Sequence, residues 1–428
     1  MTGSIANGLY LFLWCRIITA STSTIEQVMK TVGTWIFGVL LLIGLGLSVW
    51  IILPAPIFSL LPFSVGAPEI SPGLTIFNAL LLILSWLRFG IRSVRRSRLA
   101  IVTLCISSLA LGLSAQPLIQ FAPTQQQAQS AIESNLGRDY LTKIAPESLA
   151  KMRSQPLIIA DLWRGITSDP VRIDRQIPFA NPDGVPLALN IYRPLKVGKY
   201  PAIVSIYGGA WQRGSPDSDE NFNRYIAAQG YVVWAISYRH APTYRFPTQN
   251  ADVRSALTYI QNHAAENETD LDRVAAIGRS AGSQLAMLAA YQNPPFPIRA
   301  VVDYYGPVNL TTGYENVPTP DPIESRATLR TFLGGTPQQF PELYRQASPI
   351  NAVKPALPAS LLIYGGKDRI VEAKYGKYLA TQLRSQGNRA IFIEIPWADH
   401  AFDAVFPGIS NQLALYYTER FLAWALAL

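Results

Sequence analysis

Cysteine, histidine and charge are all scarce in this chain. Of 428 residues two are cysteine, three are histidine and only 15% are charged. Cys15 and Cys105 both lie in apolar stretches of the first 115 residues. They have no metal-ligand spacing, and nothing after Cys105 can form a disulfide, so neither a metal, a cofactor nor a disulfide frame is expected. Any chemistry that needs an imidazole base must draw on His240, His263 or His400. The net charge of +8 would suit a nucleic-acid partner only if it were spread along a face. Instead Arg88, Arg92, Arg95, Arg96 and Arg98 crowd into one run between two apolar segments, as in a cytoplasmic loop between membrane spans. Nucleic acid is therefore not an expected partner.

What the first 115 residues have in excess is long charge-free runs. Residues 31–53, "TVGTWIFGVLLLIGLGLSVWIIL", exceed the roughly 20 residues needed to cross a bilayer core. Residues 73–91 just span, with Arg88 snorkelling, and residues 99–115 sit near the lower length limit. Residues 1–115 are thus expected to be a membrane module of about three transmembrane helices. Keeping "RSVRRSR" in the cytoplasm sends the first span outward and leaves everything after Ala115 outside the cytoplasm. The stretch between the first two spans, with Glu69 as its one charge, suits the outer side. The opening "GLYLFLWCRIITA" is too short to span and reads as an upstream extension, with Met29 as the working start. Residues 116–165 read as a polar, Gln-rich connector, either a helical stalk or a segment lying on the membrane surface.

From residue 166 the pattern changes. Two strands flank the turn "NPDG", and short apolar runs then alternate with helical stretches to the C-terminus. Near-continuous apolar strands alternating with helices predict a mostly parallel sheet covered on both faces, over residues 166–428. Only the piece from Pro307 to about Pro358 reads as irregular.

Within this pattern "AAIGRSAG" runs a strand straight into a helix through Gly278, Ser280 and Gly282. Such a turn strains the backbone of the serine and exposes its oxygen at a strand end. The helix behind it offers unpaired N–H groups to negative charge. A hydroxyl needs a base to become a nucleophile. His400, in "IPWADHAFD" after the last strand, is the best placed; His263 lies in a polar helix and His240 among turn residues. Asp368, after the strand and Gly-Gly turn "LLIYGG", is the candidate carboxylate to orient the base, in competition with Glu372, Asp399 and Asp403. Gly208 and Gly209, together with the N–H of Ala281, are the candidate donors to a developing oxyanion.

These motifs resemble those of the α/β-hydrolase fold, in particular the esterases related to hormone-sensitive lipase and bacterial carboxylesterases. The resemblance covers roughly residues 170–428. "GRSAG", "GGKDRIV" and "DHAFD" match the nucleophile, acid and base motifs, in the order Ser280, Asp368, His400. Tyr207 stands where the family carries histidine before its glycines, and Ser237 where an aspartate is usual. The resemblance implies hydrolysis of a small-molecule or lipid carboxylic ester through an acyl-enzyme on Ser280. Tyr207, Trp211, Arg279 and Trp397 are candidates to line the pocket; plain packing, or for Arg279 a structural ion pair, is the alternative. A serine peptidase on the same fold, or an inactive hydrolase-like binding protein, are the rival readings. The sequence leaves the oligomeric state open.

Overall fold

The structure is a computed structural model that describes residues 4–94 and 98–427, with side chains for 27–88 and 98–427. Arg95 and Arg96 of the arginine run lie outside the described residues, as do the side chains of Arg92 and Cys15. The chain divides into two compact units, Met1–Val49 with Leu74–Ser114, and Trp50–Gly73 with Ala115–Leu428.

The first unit is helical. Helices Ser4–Val49, Ser71–Val94 and Arg98–Leu136 contain stretches, Gln27–Val49, Ser71–Arg88 and Arg98–Leu136, that are long and apolar enough to cross a membrane. Their apolar surfaces are held together by a polar point. The buried Asn78 amide donates to Ser48 Oγ at 2.9 Å, Ser114 Oγ at 3.1 Å and the Ala110 carbonyl at 3.2 Å. Away from water such a group must find partners within the protein.

The second unit is built on an eight-stranded sheet: β1 (Val171–Ala180), β2 (Leu187–Pro194), β3 (Tyr200–Ile206), β4 (Val232–Ile236), β5 (Thr269–Arg279), β6 (Ile298–Tyr304), β7 (Ala359–Gly365) and β8 (Ala390–Ile395). Their order is β1-β2-β4-β3-β5-β6-β7-β8. β1, β2 and β4 pair antiparallel, whereas every pairing from β4–β3 to β7–β8 is parallel. The parallel strands are buried almost throughout, which is why they read as unbroken apolar runs rather than alternating ones. β1 and β2 join through the expected turn, where Asp183 and Gly184 take φ of 53° and 75°.

Two segments acquire a structure that the sequence did not show. The stretch between Pro307 and Pro358 holds three short helices, Leu310–Glu315, Ser325–Leu333 and Pro341–Ala347. Each is only two or three turns long and is fenced by proline or glycine, so no sustained 3.6-residue period builds up. Residues 115–136 continue a helix whose Phe121, Ala128, Ile132 and Leu136 join the core of the second unit, and Tyr417 donates to the Gln125 carbonyl at 2.9 Å. This part of the connector is helical, as one of its two readings had it, and it packs on the sheet domain. Its core residues are spaced by four and seven, an apolar stripe diluted by glutamines on the other faces.

Candidate functional site

The parallel strands all end on one edge, and β5 lies near the middle of it. Ser280 follows β5 with φ 51° and ψ −122°, outside the helical and extended regions, and the helix Ala281–Tyr291 starts at the next residue. The neighbours explain the glycines. A Cβ on Gly278 would collide with the Gly282 carbonyl, and one on Gly282 with the carbonyls of Ile206 and Tyr207. The turn can be this tight only because both side chains are absent.

His400 reaches the same edge from the loop after β8. Its Nε2 stands 2.9 Å from Ser280 Oγ and its Nδ1 2.7 Å from Asp368 Oδ2. Asp368 is held in turn: its Oδ1 accepts the N–H groups of Ile370 at 2.7 Å and Val371 at 2.9 Å. With Nδ1 donating to Asp368, Nε2 is the nitrogen free to accept the serine proton. Burial opposes a charge on His400, but Asp368, Asp399 and Asp403 outweigh it and hold its pKa above the ordinary imidazole value. The neutral ring is thereby a stronger base.

Of the competing acids, Asp399 accepts the backbone N–H of His400 at 2.8 Å and the hydroxyl of Ser64. Asp403 accepts from Arg279 and from the Tyr305 hydroxyl, and Glu372 precedes the helix Ala373–Ser385, without a side-chain capping bond, and pairs with Lys374 at 2.6 Å. None of the three takes the Nδ1 position.

Ala281 is the first residue of its helix, so its N–H has no carbonyl of that helix to bind. Gly208 packs against the turn at Ser280: a Cβ there would lie 2.7 Å from the Arg279 carbonyl oxygen and 3.2 Å from Ser280 Cβ. Gly209 takes φ 127°, and a Cβ on it would strike the Arg213 carbonyl. Gly208 therefore brings bare backbone alongside Ser280, the approach that an oxyanion donor requires, and Gly209 lines the same cavity.

The four pocket candidates separate into two pairs. Trp211 and Arg279 line cavities that include Ser280; Tyr207 and Trp397 do not. Trp211 stacks on Phe332 with centroids 4.0 Å apart and donates to Gln284 at 3.0 Å, which ties the glycine loop to the helix Ala281–Tyr291. Arg279 is buried between Asp219 and Asp403 and lies over the Phe222 ring, the structural ion pair foreseen as its alternative. Tyr207 points away from the site and meets His240 Nε2 at 3.0 Å, so it anchors the glycine loop from behind. Trp397 donates to Ser410 at 2.9 Å within the core. His263 stacks on Tyr259, remote from Ser280 in the sheet.

Sequence reasoning missed three participants. Tyr305, whose ring centroid lies 4.6 Å from that of His400, carried no motif. Lys367, next to Asp368, donates to the carbonyls of Trp50 and Ser64, both at 2.7 Å. The third is the segment that Lys367 holds. Residues 58–66, between the first two apolar helices, line the larger cavity beside Ser280 and His400.

The sheet order, the strained serine after the central strand and the loops at the parallel strand ends define an α/β-hydrolase domain. Comparison with known proteins agrees. Residues 189–383 match the BD-FAE family model. The chain is 28% identical over 240 residues to a probable carboxylic ester hydrolase, LipM, of Mycobacterium tuberculosis, which covers 53% of this chain and 54% of that protein. It is 30% identical over 233 residues to esterase LipC of the same organism, covering 50% and 57%. The chain thus spans little more than half the length of these curated relatives. Among solved structures, a bacterial heroin esterase shares the fold with a TM-score of 0.53 at 24% identity, over 67% of this chain and 98% of that one. An esterase of Pyrobaculum calidifontis gives 0.53 at 23% identity, over 65% and 98%. The chain carries an α/β-hydrolase fold.

Proposed function

We propose that this chain is a membrane-anchored serine hydrolase that cleaves carboxylic esters, with Ser280 as nucleophile, His400 as base and acid, and Asp368 as the group that orients His400. Ser280 Oγ attacks the ester carbonyl while His400 Nε2 takes its proton. The carbonyl oxygen becomes an anion facing the N–H groups of Gly208, Gly209 and Ala281. When the intermediate collapses, the carbon–oxygen bond to the alcohol breaks and His400 returns the proton to the departing oxygen. Water then repeats the sequence on the acyl-enzyme and releases the carboxylic acid. Asp368 keeps Nδ1 protonated and stabilises the imidazolium.

The observation that carries this reading is the unbroken hydrogen-bonded line from Ser280 Oγ through both ring nitrogens of His400 to Asp368. The esterase names of the relatives support the reaction class. The three apolar helices and the arginine run favour an anchor of residues 1–115, joined through residues 116–165 to a catalytic domain outside the cytoplasm. Full-length enzyme should hydrolyse p-nitrophenyl acetate, and Ser280→Ala should lower kcat by ~10⁴-fold or more. Retained turnover in that variant rules the mechanism out.

A further inference from the structure

Ser280 borders two cavities of very different size. The smaller, about 70 Å³, is walled by Trp211, Leu310, Leu329 and Val371, all buried, and His400 is not part of it. The larger, about 1010 Å³, includes His400 and, from the segment linking the first two apolar helices, Phe58, Leu61 and Val65. The reaction itself says which half of an ester goes where. The departing alcohol oxygen must receive its proton from His400 Nε2, so the alcohol lies on the side that His400 lines. The acyl substituent is left with the cavity that His400 does not reach.

The volumes then set the substrate. One water-sized group needs about 10–15 Å³ of such space, so the acyl cavity admits a chain of a few carbons. The alcohol cavity matches the upper end of the ~300–1,000 Å³ of ligand sites. We propose that the substrate joins a short acyl group to a bulky alcohol with an apolar face, and that Phe58, Leu61 and Val65 recognise that face. This rests on the catalytic reading above.

The wall formed by these residues is fixed to the catalytic loops. Ser64 donates to Asp399, the carboxylate that also accepts the His400 N–H. Lys367, beside Asp368, donates to the carbonyls of Trp50 and Ser64. At the far end, Glu69 Oε2 accepts the Ser410 N–H at 2.8 Å, and a side chain on Gly408 would strike it. The segment is therefore bonded to the residues next to the acid and next to the base. Phe58 itself remains half exposed, with the Arg213 guanidinium 4.6 Å from its ring centre. An apolar ligand covering Phe58 would remove that surface from water.

The test uses the full chain in detergent and three esters: phenyl acetate, phenyl octanoate and 4-octylphenyl acetate. Expected is a kcat/KM for phenyl octanoate at least 100-fold below that for phenyl acetate, and one for 4-octylphenyl acetate at least 10-fold above it. Leu61→Trp, which fills the cavity, and Phe58→Ala, at an exposed position that folding tolerates, should each cut the ratio of 4-octylphenyl acetate to phenyl acetate at least fivefold. Equal use of octanoate and acetate overturns the acyl assignment. Ratios unchanged in both variants overturn the role of the wall. Either result with hydrolysis still abolished by Ser280→Ala leaves the catalytic reading standing, whereas hydrolysis surviving Ser280→Ala refutes that reading separately.

Discussion

The two sides of Ser280 are built from different parts of the chain. On one side, every wall residue named for the small cavity comes from residues 211–371 of the sheet domain. On the other, the large cavity borrows a wall from residues 58–66, more than 200 positions ahead of the nucleophile. The first side rests on the loops after β3 and β7 and on the helices Leu310–Glu315 and Ser325–Leu333. The second is attached by a few polar contacts, Ser64 with Asp399, Lys367 with two carbonyls and Glu69 with Ser410. In the reading proposed above, reaction chemistry and substrate choice come from separate segments that meet only in the fold.

The comparison can be broken most forcefully at the chemical side. Asp368→Asn should lower kcat about 10³–10⁴-fold for all esters alike, because the wrong histidine tautomer is stabilised. Its effect on pH is also defined. His400 must be neutral to act, and its pKa is raised, largely by Asp368 acting against burial. The wild-type kcat/KM should therefore fall with acid along a limb lying above the ordinary imidazole value of about 6.5, and the residual activity of Asp368→Asn should have that limb moved down. A limb that does not move counts against the assignment.

Gly208→Ala comes next. Its methyl group would press on the Arg279 carbonyl and displace the loop that offers N–H groups to the oxyanion. A loss of about 10²–10³-fold in kcat is expected, with KM changed much less. A smaller loss in kcat than rise in KM would make the glycine loop a binding rather than a transition-state element.

The smallest effect is expected from the other side. Ser64→Ala leaves a buried carboxylate oxygen of Asp399 without its hydroxyl donor, which costs about 1–3 kcal/mol of stability in chemical denaturation. An unchanged denaturation midpoint would mean that the segment is not bonded to the domain in solution. The position of this wall distinguishes the two sides further, because Asp368→Asn should leave the preference between small and bulky alcohols where it is.

Much of the sheet, and the groups proposed for the chemistry, could be read from the chain. The parallel sheet announced itself in unbroken apolar runs, since strands covered on both faces need no polar alternation. Ser280, Asp368 and His400 carried local signals: a glycine-framed serine between strand and helix, an acid after a Gly-Gly turn, and a histidine after the last strand. Gly208 and Gly209 stood out as candidates because two successive glycines leave the backbone bare. Tyr207 and Trp397 show how little neighbourhood in sequence says about side-chain direction. Both adjoin site motifs, yet one turns to His240 behind the loop and the other into the core. Side-chain direction at a strand end depends on what packs around it, and that is not written locally.

The chain alone therefore determined the strands of the sheet, their order along the chain and the candidate groups for the chemistry, because each depends on residues a few positions apart. Which carboxylate meets His400 Nδ1, where the glutamine-rich helix packs, and what closes the large cavity were decided only by tertiary structure. Those depend on contacts between segments up to some 340 residues apart, such as Glu69 with Ser410, and a residue's reach across that distance has no local pattern.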